Sequence, residues 1–331
     1  MTNSAKKGER IAWVEWVQVV SMLLVTLHHC VPHGYAGPQW LLKLLNAIHH
    51  PALVGFFLTG GMLARHWRRS GWRAYMKKRF IRLMTPYFCV NLAMLPPRYA
   101  AARLMGARVS LSLRWLLTSF LDPHGQGIMP HLWFLPALLI MSALLPVIDL
   151  VADRRCPARH LSIGALLVLS ALPVTWPTFL CLNELRLYLA WYVIGYALKE
   201  VFNENPPLRG SAGLAAGALG LAAFIATLYF DGVPLAPFIQ MAGGGAFQLA
   251  AASLSKPGNP LAAAFRGKTY VIYLLSLCVQ NLVEVAGYTA NLPWWITALG
   301  MLAAGLAVPC AIWAWNARHP WPKPLRLMVG L

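Results

Sequence analysis

Apolar residues fall along this chain in runs too long and too numerous for the core of a soluble domain. Runs of about 17 to 25 mostly apolar residues, long enough to cross a bilayer as a helix, lie near 12–31, 47–64, 81–97, 131–152, 161–181, 184–203, 210–230, 234–254, 269–288 and 294–316. This pattern predicts an all-α integral membrane protein, a bundle of about ten transmembrane helices forming one domain over residues 1–331. The third run is short, and Pro86 and Pro96-Pro97 are expected to break it. Residues 210–254 are built of Ala, Gly and Leu with Asp231 as their one charge, which predicts close packing of helices. No repeat at a fixed period is visible.

Charge adds an orientation. The chain carries 28 Lys and Arg against 10 Asp and Glu, a net +18, which in a soluble protein would point to nucleic acid. With the N-terminus placed inside, however, the inner segments hold 22 cations: Lys6, Lys7 and Arg10, eight from Arg65 to Arg82, then Arg154, Arg155, Arg159, Lys199, Arg209, Lys256, Arg266, Lys268, Arg318, Lys323 and Arg326. The outer segments hold 6, namely Lys43, Arg98, Arg103, Arg108, Arg114 and Arg186. This asymmetry predicts a multi-pass protein of the cell inner membrane with both termini cytoplasmic, in contact with membrane lipid and with no nucleic-acid partner. The first apolar run lacks a small-residue cleavage site after Leu27, so it is expected to be retained as a helix. The six cysteines are scattered, with no Cys-x-x-Cys pair, and indicate neither a disulfide framework nor a thiolate metal site.

Candidate chemistry begins on the first helix. At 100° per residue Glu15, Gln18, Met22, Val25 and His29 form one stripe, polar at both ends, while His28 points about 100° away. An ionisable group inside a membrane suggests function; the other reading puts His28 and His29 among lipid headgroups just before Pro32. Five histidines between His28 and His50 invite a metal, but Pro32 interrupts them and no carboxylate stands nearby, so no metal is predicted. Small residues at Gly55, Thr59, Gly60 and Gly61 predict close approach on the second helix. Arg79 and Arg82, three apart, share a helix face and suit a phosphate or pyrophosphate ligand; anionic lipid is the alternative. Ser110 to Leu121 is expected to lie as an amphipathic helix on the outer leaflet, and His131 to anchor at the interface. Glu184 is expected to pair with Arg186, and Glu284 is a second carboxylate inside the membrane.

Several of these landmarks, in one order, resemble acyltransferase family 3, membrane O-acyltransferases of bacterial glycans, and especially the branch of glucan succinyltransferases. Glu15-Trp-Val-Gln18 is similar to the family's Asp-x-Leu-Arg, and His29 stands at the matching offset of fourteen residues. Phe56-Phe-Leu-Thr-Gly60 resembles its Phe-Phe-x-x-Ser-Gly, Arg79-Phe-Ile-Arg82 with Pro86 its Arg-x-x-Arg before Pro, and Leu132-Trp-Phe-Leu135 its Leu-Trp-Phe-Leu. The resemblance implies transfer of an acyl group, foremost acetyl, from acetyl-CoA or another acyl-CoA to a hydroxyl of a glycan or lipid-linked sugar. It implies His29 as base or covalent acyl carrier, with Glu15 and Gln18 beside it in the catalytic motif and Gln18 positioning the donor. Arg79 and Arg82, with Lys78, would hold the CoA phosphates. Two positions depart from the pattern: Gln18 replaces an Arg, and Tyr273-Leu-Leu-Ser276 replaces a Tyr-x-x-His. These leave a non-catalytic relative open, and the charge-poor second half leaves open a transporter or flippase of a small or lipid-linked substrate.

Overall fold

The computed structural model describes residues 11–32, 34–64, 67–104, 112–152, 156–199, 206–230, 232–254 and 259–331, and among these every regular element is a helix. Of the positions that carried the sequence reading, Lys6, Lys7, Arg10, His33, Arg65, Arg108, Arg154, Arg155, Asp231 and Lys256 lie outside the described residues. The helices are α1 (Ala12–His28), α2 (Gln39–Ala47), α3 (His49–Ala64), α4 (Trp67–Ser70), α5 (Trp72–Leu104), α6 (Leu113–Leu121), α7 (Phe134–Ala143) and α8 (Leu145–Ala152). They continue as α9 (Arg159–Ala171), α10 (Leu182–Leu198), α11 (Gly210–Tyr229), α12 (Ala236–Ser253), α13 (Pro260–Phe265), α14 (Thr269–Thr289), α15 (Trp294–Arg318) and α16 (Lys323–Met328). A 3-10 turn at Pro130–Trp133 leads into α7.

Each of the ten predicted runs contains a helix, but fewer are both long and apolar enough to cross a membrane. Among the described residues these are Gln39–Ser70, α11, α14 and α15, with a fifth if the bent pair from Pro130 to Ala152 counts as one span. α1 and α9 are apolar but have 17 and 13 residues, short of the roughly 20 that a perpendicular span needs.

Packing follows the small residues. A Cβ on Gly61 of α3 would lie 2.0 Å from the carbonyl oxygen of Tyr192, and one on Gly195 of α10 would lie 1.9 Å from that of Leu58, so the two backbones meet through paired glycines. Gly220 and Gly243 do the same between α11 and α12, as the Ala- and Gly-rich composition predicts. α1 runs through the middle, burying Trp13, Val17, Met22 and Val25 against α3, α12 and α14. Gln280 of α14, fully buried, donates to the carbonyl of Thr26 at 2.9 Å and so clamps the last turn of α1.

Two expectations about proline are corrected. Pro86, Pro96 and Pro97 do not break the third run: α5 continues through all three for 33 residues, about 50 Å at 1.5 Å per residue. A proline at 86 has no N–H for the carbonyl of Arg82, and the Tyr270 hydroxyl donates to that carbonyl instead at 2.9 Å. Membrane helices keep their prolines where a neighbour satisfies the freed group in this way. Conversely, the run 131–152 was expected to be one helix and bends by 60° between α7 and α8, because Pro146 cannot bond the Ser142 carbonyl and crowds it. Of the expected stretch Ser110 to Leu121, residues 110 and 111 lie outside the described residues, and α6 follows Ser112, whose hydroxyl accepts from the Trp115 amide at 3.1 Å.

Candidate functional site

Two cavities open inside the bundle. The larger, about 460 Å³, is lined by Gln18 of α1, by Phe56, Thr59 and Gly60 of α3, by Tyr75, Arg79, Arg82 and Leu83 of α5, and by Thr269, Tyr270 and Tyr273 of α14, with α7 closing it. The α5 residues recur at spacings of three and four, so one helix face delivers both guanidinium groups. Arg79 donates from Nε to the Ser142 hydroxyl at 3.3 Å and lies 5.9 Å from the Tyr75 ring centre. Arg82 lies 5.7 Å from the ring centre of Tyr270. Among the described residues neither guanidinium meets a carboxylate, whereas Arg68 nearby is engaged by Asp149. Aromatic faces and a hydroxyl hold the two cations in place and leave most of their donors for a ligand. Lys78 falls off this face, is exposed, and does not line the cavity, so its place in the expected clamp is not supported by this geometry.

The smaller cavity, about 140 Å³, collects imidazoles: His28 and His29 from the end of α1, His49 from the start of α3, His124 from the loop after α6, and His131 from the 3-10 turn. Ring centres of His28 and His29 are 4.8 Å apart, those of His28 and His49 4.5 Å, and those of His29 and His131 6.3 Å. His28 Nδ1 is 2.8 Å from the Leu45 carbonyl, which only accepts, so that nitrogen donates. His131 was expected at an interface and is buried instead, its backbone carbonyl taking the Tyr273 hydroxyl at 2.6 Å. Glu184, buried at the first turn of α10, bonds His124 Nδ1, and the His124 ring stacks on Trp133 at 5.6 Å. The expected Glu184 and Arg186 pair does not form, since Arg186 turns to the backbone carbonyls of Leu169 and Leu172 at 3.1 and 2.9 Å. α5 fixes the loop that carries His124: Arg98 donates to the carbonyls of Gly127 and Ile128, and Asn91 accepts from the Met129 amide at 3.0 Å.

The polar stripe read from α1 is thus divided. Gln18 faces the arginine cavity and His29 the histidine cavity, and eleven residues of helix rise, about 16 Å, separate them. Glu15 lines neither cavity, and Arg266 bonds its carboxylate at 3.3 Å. His28 was expected to point away, yet it lines the same cavity as His29. The two Cα–Cβ bonds do differ by about 100°, but the imidazoles are long enough to converge, with ring centres 4.8 Å apart. Phe134 and Tyr273 line both cavities, so they form the wall between them. Tyr270, Ser142, His124 and Glu184 were missed as site residues; the Tyr270 and Tyr273 spacing of three was the signal available for the α14 face.

A family model described as an acyltransferase domain matches residues 11–314. No curated protein matches the chain, and no solved structure does.

Proposed function

The chain belongs to acyltransferase family 3, and from that premise we propose that it is a membrane-bound O-acyltransferase moving an acyl group, acetyl foremost, from acyl-CoA to a hydroxyl of a glycan or lipid-linked sugar. The observation that supports this most is the pair of cavities of different chemistry on the two sides of one aromatic wall. Arg79 and Arg82 suit the phosphates of CoA, since guanidinium binds phosphate through paired, charge-assisted hydrogen bonds. The length of the larger cavity then takes the pantetheine arm, with Gln18 and Tyr273 along it. His29 is the base: it takes the proton of the acceptor hydroxyl as that oxygen attacks the thioester carbon. The C–S bond breaks, CoA leaves as the thiolate, and the proton passes from His29 to it. In this reading the bundle has ten spans with both termini cytoplasmic, the arginine cavity opens inside, and the acceptor reaches His29 from the other side.

Gln18 and Ser276, where the family pattern has Arg and His, favour a second reading, a relative that binds donor without turning it over. One experiment separates them. Purified protein in vesicles is given labelled acetyl-CoA and a glycan or lipid-linked sugar fraction, and alkali-labile label on the acceptor is counted. Label on the acceptor supports transfer; CoA binding without label supports the non-catalytic relative.

A further inference from the structure

The wall between the cavities is a closed set of rings. Phe56 and Phe134 have ring centres 5.7 Å apart, Phe134 and Tyr273 5.4 Å, and Phe56 and Tyr273 6.3 Å. Each side of this triangle is within the range of direct aromatic contact, so no open path joins the cavities between these three side chains. Two of the three rings have further contacts. Tyr273 is held by its hydroxyl on the His131 carbonyl at 2.6 Å. Phe134 is backed edge-on by Phe57 at 4.8 Å, and Phe57 in turn is stacked on Tyr188 at 5.0 Å. Beyond the rings, on the His29 side, there is about 140 Å³ against about 460 Å³ on the arginine side.

We propose that Phe56, Phe134 and Tyr273 are the specificity-determining residues for the acyl group, a size filter that passes a short acyl thioester to His29 and holds back longer ones. This deepens the acyl-transfer reading and rests on it. A thioester delivered from the arginine cavity must pass these rings, and each added methylene displaces ring contacts on both sides. A fitted apolar site discriminates one methylene by roughly 10- to 200-fold.

The test compares kcat/KM for acetyl-, butyryl- and hexanoyl-CoA in wild type, Phe134→Ala and Phe56→Ala, with Phe134→Leu as the milder variant should the alanine fail to fold. Thermal denaturation of each variant reports folding independently of turnover. Wild type should prefer acetyl to butyryl by about 100-fold or more, and Phe134→Ala should narrow that preference by at least about tenfold. An unchanged chain-length profile in variants that still transfer acetyl overturns the filter and leaves acyl transfer standing. Equal use of butyryl and acetyl by wild type overturns it as well. If wild type transfers no acyl group from any of the donors, the acyl-transfer reading itself fails and takes the filter with it.

Discussion

His29 closes α1 as its C-cap, and its side chain lies in a cavity rather than against a helix neighbour. His29→Ala should therefore lower transfer by about 10²- to 10⁴-fold while leaving CoA affinity unchanged, measured by turnover and binding on the same preparation. His28 is a different case, because its Nδ1 donor holds the Leu45 carbonyl and so ties α1 to α2. His28→Ala should cost about 1 kcal/mol of stability, seen as a lower melting temperature, with a smaller loss of rate. Helical angle alone would have called His28 uninvolved; its imidazole reaches the cavity all the same. Glu184 could be seen in the sequence as a buried charge in need of a partner, but the choice between Arg186 and His124 was made by a loop sixty residues away. Glu184→Ala should lower the melting temperature more than Arg186→Lys, since it strips a buried carboxylate from His124 and leaves that ring without its hydrogen bond.

Among the elements, α5 shows most clearly what local rules cannot supply. Pro86 reads as a break because its cost is local, while the repair comes from Tyr270, whose hydroxyl meets the orphaned Arg82 carbonyl from a helix far along the chain. Tyr270→Phe removes that repair and should destabilise the protein by about 0.5–1.5 kcal/mol, read by thermal denaturation in detergent. CoA affinity should change little, because Phe keeps the ring that faces the Arg82 guanidinium. The small residues at Gly55, Thr59, Gly60 and Gly61 marked α3 as a face of close approach without naming its partner, which is α10 through Gly195. Gly195→Ala sets a methyl carbon against the Leu58 carbonyl and should cost about 1–3 kcal/mol, with loss of folded protein on size-exclusion chromatography; a yield equal to wild type would show that the helices are free to move apart.

At the scale of the molecule, hydropathy placed a helix in each of the ten runs but gave no sign of α2, α4, α13 or α16, and the motifs singled out Arg79, Arg82, Gln18 and His29. What the sequence could not show is that these four divide between two cavities, because that depends on how α5, α7 and α14 stack around α1. The division makes a kinetic prediction that a single shared site would not make. Steady-state kinetics against acetyl-CoA, run in parallel on wild type, Arg82→Ala and His29→Ala, should separate the two functions. Arg82→Ala should raise the donor KM with a nearly unchanged kcat, in line with a lost charge-assisted contact of about 1.5–3 kcal/mol, and His29→Ala should lower kcat with KM unchanged. Both substitutions changing KM alone, or neither changing either constant, would contradict a donor clamp and a catalytic imidazole working across one aromatic wall.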